Sequence, residues 1–470
     1  MANYGFVIDN RTCIGCHACT VACKSEHDIP LGVNRTHVKY IEKGAYPDTT
    51  REFSVHRCNH CEDAPCVTIC PTTALFSRSD GIVDFDDERC IGCKSCMQAC
   101  PYDALYIDPD NGTAAKCNYC AHRIENSYEP ACVIVCPTES IVSGDLSDPD
   151  SNISRLVASQ ETTVRKPESG VKPNVFYIEA SEEMLDPAAT EVTGSGVWTD
   201  QAFGVGHFAK YAESRLDAAD TSSLIVQLAL EKKAKSAAPR DQAIFRDVMQ
   251  QLYEGDSNAK RTYDQPTKGV LWGFEVGAYI WTKAICSGTY VVAVLSMLTG
   301  MVEMNDELWM RTIGVGIVFL ALTGLLLVMD LDRPERFLYV LLRPNWDSWL
   351  VRGAYILGAY GGILGASALV LLLGLDRIFL TILAVAGVPL GLLTGVYTAW
   401  LLMQAKGRSW SKDSLLPIKF LLETLVVGVA VFVPMVTMEP LHVMAGLSVL
   451  AAVWLHDKEL IVKPQLEPLL

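Results

Sequence analysis

Sixteen of the 17 cysteines lie between Cys13 and Cys136, in four quartets. Cys13, Cys16, Cys19 and Cys23 are spaced C-x2-C-x2-C-x3-C, and Cys90, Cys93, Cys96 and Cys100 repeat that spacing. Cys58, Cys61, Cys66 and Cys70 read C-x2-C-x4-C-x3-C; Cys117, Cys120, Cys132 and Cys136 have a long gap between the middle pair. Pro71, Pro101 and Pro137 follow the last cysteine of the second, third and fourth quartets. A [4Fe-4S] cluster needs four thiolates converging from several directions. Two-residue spacers let one tight loop supply three, and a fourth ahead of a proline commonly serves the neighbouring cluster. Four quartets therefore predict four [4Fe-4S] clusters. Zinc sites pair C-x2-C units, with no reason for a three-plus-one pattern and a trailing proline. A disulfide framework suits a small secreted domain, and nothing else in the chain has that character.

The chain has 470 residues, enough for two to three domains. Residues 1–265 are polar and acidic, and from about Gly269 the sequence is mostly apolar. A net charge of −15 argues against nucleic acid as a partner. Cluster-type cysteines imply assembly in a reducing compartment, because iron binds thiolates. The start of the chain, Met1 to Phe6, carries neither a secretory signal nor a twin arginine, which leaves export beside a signal-bearing partner open.

Strand signals flank the cysteine loops at Phe6–Ile8, His37–Ile41, Gly81–Phe85 and Leu105–Ile107. The tetrapeptide Cys-Ile-Gly-Cys recurs at 13–16 and 90–93, an internal repeat that points to two ferredoxin-like halves with two clusters each. Glu182 to Thr199 reads as a linker, and apolar spacing predicts helices over 222–235 and 241–253. About six membrane spans are expected, near 273–302, 309–330, 350–374, 377–403, 416–438 and 440–456. Lys and Arg gather in the loops on the side of the cysteine-rich domain, with Arg311 and Arg377 on the other. By the positive-inside rule that places the domain and both termini in the cytoplasm. Trp272, Trp281, Trp309, Trp346, Trp349 and Trp410 sit where an aromatic belt would. The fold class expected is an α+β double-ferredoxin-like iron–sulfur domain followed by an all-α transmembrane bundle.

The stretches "CIGCHACTVAC" (13–23), "CNYCAHRI" (117–124) and Lys172–Ile178 resemble the four-cluster iron–sulfur subunit of the molybdo-bis-pterin oxidoreductases, such as polysulfide, thiosulfate, dimethyl-sulfoxide and tetrathionate reductases. The resemblance runs to about residue 182. It implies exchanged fourth ligands: Cys13, Cys16, Cys19 with Cys136; Cys117, Cys120, Cys132 with Cys23; Cys58, Cys61, Cys66 with Cys100; and Cys90, Cys93, Cys96 with Cys70. "WGFEVGAYIWTKAICSG" (272–288) and "DLDRPERFLYVLLRPNWDSWLVRGAYIL" (330–357) resemble the NrfD-like quinone-reactive membrane subunits of the same reductases. Members of that family usually have eight helices, so six implies a short form or helices from another subunit. The expected domains are 1–182 (clusters), 183–268 (acidic linker with short helices) and 269–470 (membrane).

A row of clusters is a one-electron wire, and the bilayer is covalently attached to it here. A quinone takes up two electrons and two protons, so its site needs proton-handling groups. Ionisable residues within apolar helices are costly and usually functional. Lys283, Asp330, Arg352, Tyr355 and Glu423 lie on the cytoplasmic-side ends and are the candidate quinone-site residues. Each also has a structural reading, as an interhelical pair holding the bundle together. On the opposite side Glu303, Asp306, Glu439 and His442 could serve a proton exit, or simply lie at the interface. His17, His56, His60 and His122 are expected to hydrogen-bond cluster sulfurs or face solvent, and Cys286 to pack.

The function expected is a membrane-bound electron-transfer subunit, reacting with quinone (menaquinone or ubiquinone), in an oxidoreductase complex with a molybdo-bis-pterin catalytic subunit or other electron-transfer and membrane subunits. Alternatives are a self-standing ferredoxin:quinone oxidoreductase and a non-redox membrane scaffold with structural clusters. No phosphate loop, dinucleotide fingerprint or hydrolase triad is present in the sequence.

Overall fold

The computed structural model describes residues 2–45, 47–186, 189–192, 259–263, 268–467 and 469. The helices expected over 222–235 and 241–253 lie outside them. The chain divides into two compact units, Met1–Val67 with Ala74–Leu271 and Gln465–Leu470, and Thr68–Thr73 with Trp272–Pro464.

In the first unit short β-branched and aromatic runs form strands where expected. They are β1 (Tyr4–Asp9), β2 (Thr36–Ala45), β3 (Asp48–Arg57), β4 (Leu75–Ser77), β5 (Val83–Phe85), β6 (Leu105–Ile107), β7 (Ala114–Lys116), β8 (Ile141–Asp145), β9 (Thr162–Thr163), β10 (Val175–Ile178), β11 (Glu191–Val192) and β12 (Ala259–Tyr263). One sheet has the order β8-β1-β10-β9, with β1 parallel to β10 and antiparallel to β8. The resembling segment at 172–178 thus closes this sheet beside the first strand. The second sheet has the order β11-β12-β2-β3, built on the β2–β3 hairpin from Thr36↔Arg57 to Ala45↔Asp48. Two small hairpins, β4–β5 and β6–β7, each follow a cysteine loop. Strands β11 and β12 fall inside the stretch expected to be linker. Their backbone hydrogen bonds to β2 and to each other tie its two ends to the sheet, an association that short strand segments do not announce in sequence.

The core of this unit packs Phe6, Ile8, Val38, Val55, Tyr119, Val175 and Tyr177 directly against Cys19 and Cys132. The Cys-Ile-Gly-Cys repeat has the same backbone twice. Gly15 and Gly92 take φ of 67° and 69°, and His17 and Lys94 both take 59°. These left-handed turns, which glycine adopts without steric cost, lead into the short helices Ala18–Glu26 and Ser95–Ala99.

In the second unit five helices are long and apolar enough to cross a membrane: α1 (Phe274–Leu298), α2 (Asp306–Met329), α3 (Trp349–Leu372), α4 (Arg377–Gln404) and α5 (Leu416–Thr437). The sixth expected span is the first part of a helix, α6 (Pro440–Leu466), which is not among the five. Its apolar run stops at His456, Asp457, Lys458 and Glu459, so charge enters where a sixth span would finish. Helix α1 is central, with 72% of its apolar window buried against 22–33% for the others. It packs on α2, α4 and α5. The outer helices turn Ile317, Val318, Leu322, Ile382 and Val426 outward, as lipid-facing surface requires. Trp272, Trp309 and Trp410 are buried, with Trp272 stacked on Trp410 at 6.0 Å, while Trp346 is exposed. Cys286 lies in the apolar core and donates to the Gly316 carbonyl at 3.1 Å.

Candidate functional site

None of the 17 cysteines forms a disulfide. Within the first unit they come together across long stretches of sequence. Cys13, Cys16, Cys19 and Cys136 line one cavity. Cys23 instead lies within electrostatic reach of Cys117, Cys132 and Cys120. Cys61 lies near Cys58, Cys100 and Cys66. These are three of the four exchanged sets that the resemblance implied. Cys58 also adjoins Cys117, so the third set borders the second, just as Cys19 and Cys132 join the first to the second. The sets thus stand in a row. Of the remaining four cysteines, Cys70 and Cys96 are buried and Cys90 and Cys93 half-buried.

The donor chemistry suits iron–sulfur clusters. The sets are all thiol, soft ligands that select iron–sulfur clusters among few alternatives. Among the described residues no three His, Cys, Asp or Glu side chains close on a point tightly enough for a single metal ion. The thiols converge around a larger space. Burial pushes the Cys19 thiol up to about 11 and that of Cys120 up to about 12, and neighbouring thiols add to it. Burial raises Cys23 and Cys61 as well. Ligation by iron must therefore displace protons from these sites. Burial works against ionisation of Cys136 too, but the Ser140 hydroxyl and nearby backbone N–H groups outweigh it and lower this thiol.

Several groups approach the sulfurs. Ser140 Oγ lies 3.1 Å from Cys136 Sγ and His27 Nε2 3.2 Å from Cys120 Sγ. Ala114 N–H donates to Cys90 Sγ at 3.3 Å. The four histidines singled out in sequence behave as background. His17 lines the first cavity and packs on Tyr40. His60 is buried, with Nδ1 accepting from Val83 N–H, and His122 pairs with Glu26 at 2.7 Å. His56 is buried and stacks on His37. His27, which stands outside the quartets and so gives no signal in their spacing, makes a close imidazole–sulfur contact.

In the membrane unit, α1, α4, α5 and α6 enclose a polar constellation. Lys283 of α1 is 1% exposed. Its ammonium donates to Thr398 Oγ1 and sits 4.5 Å from the ring centre of Tyr397, 5.6 Å from Phe420 and 5.9 Å from Tyr279. Such a cage favours a cation electrostatically. Glu423 of α5 and Asp457 of α6 both lie within electrostatic reach of Lys283. The two carboxyl groups also lie within electrostatic reach of each other. Neither carboxyl oxygen of the wholly buried Asp457 has a hydrogen-bond partner among the described residues.

The fold therefore brings Lys283 and Glu423 together and adds Asp457, Thr398, Tyr397 and Tyr279. In sequence Asp457 belongs to a charge run that reads as a helix flank. Asp330 lies within electrostatic reach of Tyr279, at the edge of this group. Arg352 and Tyr355 point their hydrogen bonds elsewhere. Arg352 Nε donates to the Trp346 carbonyl at 2.6 Å and Tyr355 OH to the Leu341 carbonyl at 3.0 Å, so both brace the 341–349 segment. On the other side Asp306 pairs with Arg377 at 3.0 Å and His442 lies 2.9 Å from Thr437 Oγ1 and 3.6 Å from Glu439, while Glu303 is exposed. These are surface contacts.

Residues 49–146 match the family model of a 4Fe-4S dicluster domain, and residues 263–442 match that of polysulphide reductase NrfD. A polysulfide reductase chain of Wolinella succinogenes is 44% identical over 178 residues, which is 37% of this chain and 93% of that protein. A tetrathionate reductase subunit of Salmonella typhimurium is 41% identical over 188 residues, 39% of this chain and 75% of that protein. Protein NrfC of Escherichia coli is 40% identical over 178 residues, 37% of this chain and 80% of that protein.

Proposed function

This chain belongs to the family of reductase iron–sulfur electron-transfer subunits, fused here to a multi-pass NrfD membrane domain, and from that premise we propose that it carries electrons through four [4Fe-4S] clusters between a catalytic partner and the membrane quinone pool. The observation that carries this reading is the row of cysteine sets. Cys13, Cys16, Cys19 and Cys136 would hold one cluster; Cys23, Cys117, Cys120 and Cys132 the next; Cys58, Cys61, Cys66 and Cys100 the third. Cys70, Cys90, Cys93 and Cys96 remain for the fourth. Bound clusters supply one-electron carriers. The chain's own part is to hold them in series and to bury most of their ligands, with Cys16 exposed at the edge of the first set.

The partner proposed is a molybdo-bis-pterin catalytic subunit, because the relatives named above include subunits of polysulfide and tetrathionate reductases. Ile14, Val21 and Ile134 are 56–65% exposed beside the first two sets and offer such a partner an apolar contact.

The quinone is assigned to the NrfD domain, between α1 and α5. Quinone reduction places negative charge on its oxygens, and a pre-placed donor stabilises that charge best in a low-dielectric site. Lys283 is that donor. Glu423 and Asp457, both within electrostatic reach of Lys283, are placed to return a proton to it. Asp330 stands next to Tyr279 at this site, while Arg352 and Tyr355 support the 341–349 segment rather than touch the quinone. The Lys and Arg distribution supports a cytoplasmic cluster domain.

Two measurements test this. Anaerobically purified protein should contain about 16 irons, four for each cluster, and eight or fewer, or zinc in their place, overturns the cluster assignment. Lys283→Met and Glu423→Gln should slow quinone turnover at least tenfold while dithionite still reduces every cluster. Full turnover in both variants moves the quinone elsewhere.

A further inference from the structure

Two buried cations stand at the borders between cysteine sets. Arg57, at the end of β3, is 2% exposed. Its Nη1 donates to Cys132 Sγ at 3.1 Å, and Cys132, Cys117 and Cys19 are its strongest electrostatic neighbours. Cys19 belongs to the first set; Cys132 and Cys117 belong to the second. The guanidinium lies 4.5 Å over the Phe6 ring, which fixes its plane. Its Nε and Nη2 are buried without a hydrogen-bond partner among the described residues. Leaving two N–H donors of a buried charge unmet is costly, so their acceptors should belong to a group that the sulfurs surround.

Lys116, at the end of β7, is fully buried. Its ammonium donates to the carbonyls of Val83 and Cys117 and reaches the Cys58 sulfur. Cys117 belongs to the second set and Cys58 to the third. Neither cation forms an ion pair with a carboxylate among the described residues. Each therefore has cysteine sulfur, and whatever that sulfur binds, as its nearest anionic neighbour.

We infer that Arg57 and Lys116 are shared counter-cations at two successive borders, which hold the cluster of Cys23, Cys117, Cys120 and Cys132 at a higher reduction potential than the clusters on either side. That cluster alone touches both cations, and His27 adds a further contact at Cys120. Adding one electron makes a cluster more negative, so an adjacent fixed cation stabilises the reduced form; net charge and hydrogen bonds to sulfur are the levers a protein has on cluster potential. Arg57 and Lys116 are positioning and tuning residues, not ligands. The inference rests on the cysteine ligation proposed above, and iron content reads that ligation separately from potential.

The test is an anaerobic redox titration of the full-length protein, followed by electron paramagnetic resonance, with dithionite as the electron donor. Arg57→Gln and Lys116→Gln should each weaken reduction of one and the same cluster at least tenfold, a shift of 59 mV for a one-electron couple. Arg57→Lys, which keeps the charge, should restore most of it. Arg57→Gln should also move a second wave that Lys116→Gln leaves in place. If Arg57→Gln fails to retain its iron, Lys116→Gln against the native chain carries the test alone. Iron-complete variants whose potentials are all unmoved overturn the inference, as does a pair of variants that share no shifted wave.

Discussion

Replacement of Gly288 by alanine tests whether the approach of α1 to α5 sets the membrane site. A Cβ at Gly288 would stand 2.0 Å from the Thr424 carbonyl oxygen and 2.9 Å from the Gly428 nitrogen. Both obstacles are backbone, so no side chain can swing aside. Ordinary contact begins at 3.4 Å, so the helices must part by about 1.4 Å locally. Overpacking of this kind costs about 1–3 kcal/mol. Lys283 lies about one and a half turns from Gly288 on α1, and Glu423 is next to Thr424 on α5, so the separation passes directly to their approach. A misplacement of about 1 Å at a reacting site can cost on the order of 100-fold in rate. Gly288→Ala should therefore lower quinone turnover by that order and lower the thermal midpoint in detergent, with iron content unchanged. Gly358→Ala is the control. Its Cβ meets nothing within 4 Å, and alanine is the better helix former there. If Gly288→Ala matches Gly358→Ala in turnover and midpoint, the packing argument for the site is wrong.

Cys66→Ser should remove one ligand from the third set and interrupt transfer from a soluble donor to quinone altogether, because the centres act in series; turnover above about a tenth of normal would show a route around that set. Protease applied to intact spheroplasts should leave residues 1–260 uncut if the domain is cytoplasmic. Cleavage there without lysis places it outside.

Much of this protein is local, and what is local could be read from the chain. The cysteine spacings, the glycines that turn the two Cys-Ile-Gly-Cys loops, and the short strands around them depend on neighbours a few residues away. Membrane spans α1 to α5 are likewise determined by composition over some twenty residues, since burial in lipid demands unbroken apolar helix. The sixth expected span differs because its apolar run shades into His456–Glu459, and hydropathy alone gives no sharp end.

Tertiary structure decided which of these pieces meet. Cys136 joins Cys13 over more than a hundred residues, and Cys23 leaves its own loop for the second set; spacing permits that exchange, and only the sheet that brings β1 beside β8 and β10 enforces it. Arg57 gives no signal in the chain, since one arginine before a cysteine is ordinary until the fold buries it among sulfurs and away from every carboxylate. Asp457 reads as a flank charge in the chain, yet helix packing buries it against Glu423 and within reach of Lys283. The physical reason is the same in each case. A side chain's charge and hydrogen-bonding capacity belong to the sequence, but whether it meets water or another buried group depends on residues far away along the chain.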